Sequence, residues 1–172
     1  NIFLLFGGSE VENIKHILPI VPRIHIIAIS KSIEDRLKNL NVESRLLTLN
    51  LTDKNLFYPR KSTDDYIYIY DGYDKNNLAN EKIYGKKYYN EVLKRFPNEK
   101  FIFSSQLNIK HEKMPEIYAK CKIGLRLTSE DGNANTVQEF EAMNIPIVHN
   151  QSDYGLKWNT VDDIIKYINI YM

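Results

Sequence analysis

One stretch of the chain concentrates side chains able to do chemistry. It runs Gly124-Leu125-Arg126-Leu127-Thr128-Ser129-Glu130-Asp131-Gly132-Asn133-Ala134-Asn135-Thr136-Val137-Gln138-Glu139. Ile123, Leu125 and Leu127 alternate with Gly124, Arg126 and Thr128, so Arg126 interrupts a strand that a parallel sheet would bury on both faces. A guanidinium buried there needs a partner, because an isolated buried charge is strongly destabilising. Two readings stand: Arg126 pairs structurally with Asp131 or Glu139, or its planar fork faces a phosphate. Residues 131–136 are small and polar and lie directly before a helix. Gly132 lets backbone approach a ligand, and Asn135 or Thr136 can cap the helix. The free N–H groups of its first turn, with the helix dipole, favour an anion. Glu139 follows a turn later, with its Cβ tilted toward the same end. A carboxylate there repels a phosphate but suits the two hydroxyl donors of a sugar. The plainer reading is an ordinary capped loop with Glu139 as a solvated helix charge.

The elements that must position these residues alternate. Strands are expected over residues 2–6, 24–29, 45–49, 66–70, 100–104, 123–127 and 145–149. Helices are expected over 10–18, from Ser32 through Leu40, and over 81–95, 114–120, 136–143 and 160–171. Ser30 or Ser32 suits the N-cap of the second, and Pro115 sits where the first turn of a helix needs no N–H. Thr160 and Asp163 have capping-box spacing. Alternating strands and helices predict an α/β fold, Rossmann-like, with a mostly parallel sheet and helices on both faces. Residues 50–65 break the pattern with polar residues and Pro59, and read as a linker. In such sheets ligands bind at the carboxyl ends of the strands, which is where residues 131–139 fall.

Other groups carry less. His16, His25, His111 and His149 lack metal-ligand spacing and read as structural or surface residues. Cys121, before an apolar strand, reads as a small buried residue. Gly7-Gly8-Ser9 reads as a turn, since neither a P-loop nor a G-x-G-x-x-G is present. Tyr66, Tyr68, Tyr70, Tyr73, Tyr84, Tyr88 and Tyr89 read as core and surface aromatics. Lys86-Lys87 and Lys110-His111-Glu112-Lys113 read as solvated charges.

Composition bounds the function. The 172 residues suit one domain, or one with part of another. Lys+Arg 23 against Asp+Glu 22 excludes the strongly basic footprint of a general nucleic-acid binder. One Cys cannot form an internal disulfide, which fits a reducing, cytoplasmic setting. No apolar run approaches the ~20 residues of a membrane span, and the run at 3–6 has no signal-peptide pattern.

The pattern Arg126-x-Thr128-x-x-Asp131-Gly132-x-x-x-Thr136-x-x-Glu139, followed by Asn144-Ile145-Pro146-Ile147-Val148, resembles the donor-sugar signature of retaining GT-B glycosyltransferases of the family 4 type. That signature spaces two acids E-x7-E before a turn residue, Pro and a hydrophobic strand. Here Asp131 replaces the first Glu, and Asn144 stands where Gly is usual. A second register, through Glu141-Ala142-Met143, fits the Asp-Gly and Pro spacing less well. Residues 26–32, Arg36-Leu37 and Phe57-Tyr58-Pro59 resemble the end of the family's N-terminal domain and its crossing to the second. Residues 114–124 resemble the helix and strand before the signature.

The resemblance implies one half of a GT-B fold plus the tail of the other. Residues 1–60 would be the end of the acceptor-side domain and linker, and 61–172 the nucleotide-sugar-binding domain. Glu139 would take the ribose hydroxyls. Backbone N–H groups of Asn135, Thr136 and Val137, near Gly132, would take the diphosphate. Asp131 would lie near the donor sugar, and the base would rest around residues 104–109, beginning at Ser104. The family's basic Gly-Arg…Lys-Gly pattern is absent, so the diphosphate cation would be Arg126, with Lys75 or Lys82 as weaker candidates. The implied substrate is a UDP- or GDP-linked sugar, with no permanently bound cofactor. Transfer to a glycan, lipid or protein acceptor would proceed with retention. No D-x-D is present, which disfavours a metal-dependent GT-A enzyme. The chain is expected to be a donor-binding part of a larger enzyme, working with an N-terminal domain, or a reduced protein. Two other readings are a non-catalytic GT-B half-fold module and an unrelated α/β nucleotide-binding enzyme such as an epimerase.

Overall fold

The computed structural model describes residues 2–6, 9–17, 24–72, 83–129, 131, 133–152 and 154–172. The chain forms two compact units. One contains Asn1–Leu51, Glu130–Ala134 and Gln151–Asp153; the other contains Thr52–Ser129, Asn135–Asn150 and Tyr154–Met172.

In the first unit, strands β1 (Ile2–Phe6), β2 (Ile24–Ala28) and β3 (Arg45–Leu46) pair in parallel in that order. A 3-10 turn (Ser9–Asn13) runs into the short helix α1 (Ile14–Ile17), and helix α2 spans Lys31–Asn39. Phe6, Ile26 and Ala28 are buried against Val11, Ile14, Ile33 and Leu37. Ile33 and Leu37 share a face because they are one helical turn apart. Phe3 and Leu5 point the other way and are exposed. The described helices thus cover one face of this sheet. Of the two N-cap candidates it is Ser30 that caps α2, its Oγ accepting from the Ile33 N–H at 3.3 Å. The strand expected over 45–49 pairs only at Arg45 and Leu46, because its partner β2 ends at Ala28. Of the helix expected over 10–18, residues 10–13 belong to the 3-10 turn and 14–17 are α-helical.

The second unit holds β4 (Tyr66–Ile69), α3 (Lys86–Arg95), β5 (Lys100–Phe103), α4 (Met114–Tyr118), β6 (Cys121–Leu125), α5 (Asn135–Ala142), β7 (Ile147–Val148) and α6 (Val161–Tyr171). The four strands are parallel in the order β5-β4-β6-β7. Ile67, Ile69, Ile123 and Leu125 project to one face, packing with Tyr89 and Val92 of α3 and Ile164 and Ile168 of α6. Tyr68 projects to the other face, against Tyr118 of α4 and Phe140 of α5. Both faces are covered, which is the Rossmann-like arrangement the alternation predicts. Strand β6 begins two residues earlier than expected, because Cys121 already pairs with Tyr66. Its ladder ends at Leu125, and β7 shortens with it. The Thr160–Asp163 capping box forms at the start of α6. No helix among the described residues is long and apolar enough to cross a membrane.

Candidate functional site

A parallel sheet brings all its carboxyl ends to one edge, and in the second unit that edge is braced by side chains. Asp71 follows β4, and Ser104 and Ser105 follow β5. Asp71 Oδ1 accepts from the Ser105 N–H at 2.8 Å and from Ser104 Oγ at 2.9 Å. Its Oδ2 accepts from Ser105 Oγ, and its own N–H donates to Ser104 Oγ at 3.1 Å. Ser104, expected near a nucleotide base, therefore ties two strand ends together. Tyr89 of α3 ties another pair: its hydroxyl donates to the Tyr70 carbonyl at 2.7 Å and accepts from the Leu127 N–H at 3.1 Å. Burial pushes this phenol well above its ordinary pKa, so it keeps its proton.

Arg126 lies just past β6 and is 9% exposed. Its guanidinium stacks 3.8 Å from the centre of the Tyr70 ring. Its Nη1 donates to Thr136 Oγ1 at 3.2 Å. Thr136 and Val137 are buried in the first turn of α5, and Asn135, which starts the helix, is exposed. His149 is buried behind this strand, its Nδ1 3.1 Å from the Arg126 carbonyl oxygen. The sequence left Arg126 between a structural pair and a phosphate contact. The structure ties it to Thr136 and Tyr70, which holds a permanent cation beside the N–H groups that open α5. A cation and a helix N-terminus so placed favour the same kind of ligand, an anion.

Glu139, one turn into α5, is 4% exposed and is not a solvated helix charge. Its Oε1 lies 2.6 Å from His111 Nε2, and its Oε2 accepts from the Tyr118 hydroxyl at 2.9 Å. Tyr118 is buried among aromatic rings: Phe140 at 4.4 Å between centroids, Tyr68 at 5.3 Å and Phe57 at 6.1 Å. Burial, then the neighbouring Tyr68 and Glu139, hold the Tyr118 phenol well above its ordinary pKa, so it is a hydrogen-bond donor. His111 belongs to a 3-10 turn (His111–Lys113), and its side chain is 62% exposed. Phe57, from the segment read as linker, packs 5.2 Å from the His111 ring. His111 is exposed, as the sequence reading expects, but it is also held by Glu139. That contact is not legible in the sequence because the two partners are 28 residues apart, and no local pattern couples a turn histidine to a helix carboxylate at that distance.

Asp131 lies in the segment Glu130–Ala134 of the first unit, whereas Glu139 lies in the second, so the two acids of the signature belong to different units. Within the first unit, Asn133 Nδ2 donates to the Leu49 carbonyl at 2.8 Å. Gly132, Lys75, Lys82 and the Gly7-Gly8 turn lie outside the described residues.

No protein-family model and no curated protein sequence matches the chain. Among solved structures it is similar to a sucrose-phosphate synthase from Thermosynechococcus elongatus, with a TM-score of 0.54 at 15% identity. The similarity covers 86% of this chain and 44% of that one, so the chain spans less than half the length of that structure. At this identity the likeness is one of fold: parallel-strand sheets with helices, consistent with a Rossmann-like half of a GT-B fold.

Proposed function

We propose that the chain is the donor-binding part of a glycosyltransferase that uses a nucleotide-diphosphate sugar. The observation that carries this reading is Arg126: buried, locked to Thr136, and beside the opening turn of α5 at the carboxyl edge of a parallel sheet. The fold neighbour is a sucrose-phosphate synthase, a glycosyltransferase of the GT-B type, which agrees with a sugar-transfer role. In the proposed reaction the bond from the sugar's anomeric carbon to the diphosphate oxygen breaks. A bond from that carbon to an acceptor hydroxyl oxygen forms on the same face, and the acceptor's proton passes to the departing diphosphate. Arg126 and the N–H groups of Asn135, Thr136 and Val137 stabilise the charge that builds on the departing diphosphate.

The test is a thermal-shift panel with UDP, GDP and ADP at millimolar concentration. A bound nucleotide at a hundred times its Kd stabilises by about 2.7 kcal/mol, which moves the melting temperature by several degrees. Arg126→Lys keeps a charge but loses the planar fork, and should remove most of the shift. No shift with any of the three nucleotides overturns the reading.

A second reading is a binding module of the same fold without turnover. What favours it is the Glu139 carboxylate, both of whose oxygens are already taken by protein groups. Sugar transfer by the protein would refute this alternative.

A further inference from the structure

We propose that His111, not Glu139, is the side chain that takes a ribose hydroxyl of the nucleotide, and that Glu139 is the residue that positions it. This rests on the nucleotide-binding reading above. Glu139 offers an incoming diol almost no surface, since its side chain is 5% exposed. One of its oxygens is held by the Tyr118 hydroxyl and the other by His111 Nε2. The polar group presented at the surface above this carboxylate is the imidazole, 62% exposed.

The contact with Glu139 also decides which ring nitrogen is left for a ligand. Nε2 is turned to the carboxylate at 2.6 Å, so Nδ1 is the nitrogen that remains. Nδ1 has no protein hydrogen-bond partner among the described residues, and the ring is held in place by Glu139 and by Phe57. A ring nitrogen fixed at the surface matches a sugar hydroxyl, which can both donate and accept a hydrogen bond. His111 also lies two residues beyond 104–109, the segment expected to hold the base, so ribose recognition would fall next to base recognition.

The experiment is a titration calorimetry comparison of whichever of UDP, GDP and ADP binds with its 2′,3′-dideoxy counterpart. Wild-type protein should bind the dideoxy form about five- to tenfold more weakly, the size of one lost hydrogen bond. His111→Ala should bind both forms equally, at the weaker affinity. Glu139→Gln keeps the shape but lets its amide face the ring, so it should reduce the discrimination while the nucleotide-free melting temperature changes little. A purely structural role for Glu139 would not move that ratio. If His111→Ala retains the wild-type ratio, or discriminates more strongly because the carboxylate has been uncovered, this proposal is overturned while the nucleotide-binding reading stands. If no nucleotide binds the wild-type protein, both fall together.

Discussion

Gly124 of β6 and Phe140 of α5 are in such close contact that a Cβ placed on the glycine would stand 2.7 Å from the Phe140 ring. The missing side chain sets how near the helix lies to the sheet. Phe140 in turn packs on Tyr118 at 4.4 Å, and Tyr118 holds the carboxylate of Glu139, the next residue toward the start of the helix. One glycine therefore governs the height at which the His111–Glu139 pair is carried.

Gly124→Ala should lower stability by about 1–3 kcal/mol, the range for forcing a methyl into a packed core. Chemical denaturation of the two proteins measures this, and an unchanged midpoint would mean that Phe140 moves aside freely. Because the ring that must move supports Tyr118, the variant should also weaken any nucleotide-induced shift by more than its stability loss accounts for.

Tyr89→Phe isolates the second brace. The ring stays in the core beside Val92 and Leu127, but the Tyr70 carbonyl and the Leu127 N–H lose the hydroxyl that joins them. Leaving buried backbone groups without a partner costs about 1–3 kcal/mol, more than the net worth of an ordinary hydrogen bond. Urea unfolding should show a lower midpoint with an unchanged slope, since the surface exposed on unfolding is the same.

The α/β class was readable because strand-length apolar runs, among them those holding Ile67, Ile69, Ile123 and Leu125, alternate with amphipathic ones. The cap at Thr160 was equally plain and that of α2 was narrowed to Ser30 or Ser32, since capping is local chemistry. Strand ends were less so. Where β3 and β7 stop depends on where β2 and β6 stop pairing, which is a property of two segments at once. The same limit applies to the site. Arg126 stood out as a charged residue on a strand that should be buried, and Glu139 by its place one turn into the helix and its spacing from Asp131. What they contact did not, since Tyr70, Thr136, His111 and Tyr118 lie at sequence separations that no periodicity connects. The Asp71–Ser104–Ser105 brace was hidden for the same reason: each residue alone is an ordinary turn former.

Cys121 offers a chemical reading of how closed the β6 side of the core is. Its side chain is buried, its thiol lies 3.4 Å from the Ile117 carbonyl oxygen, and burial pushes its pKa up to about 12. At pH 8 the thiolate, which is the reacting species, is then about one part in ten thousand. Ellman's reagent should leave the native protein unmodified and release one equivalent after denaturation. Rapid labelling of native protein would place the start of β6 in a locally open state.

The last test concerns pH and the cap of α6. Asp163 is held below its ordinary carboxyl pKa of 3.8 by the backbone N–H groups of Asn159 and Thr160, and then by the Thr160 hydroxyl. A carboxyl whose folded pKa is depressed contributes stability above its unfolded pKa and loses it as pH falls through the lower folded value. The contribution should therefore be constant from neutral pH down to about 5 and fade below the ordinary value near 4. Asp163→Asn removes the titration while leaving one oxygen to accept from the backbone. The gap in melting temperature between wild type and this variant should be widest at neutral pH and close under acid. A gap that widens as pH falls would have the opposite sign, and would mean that the cap is held by the neutral acid rather than by the carboxylate.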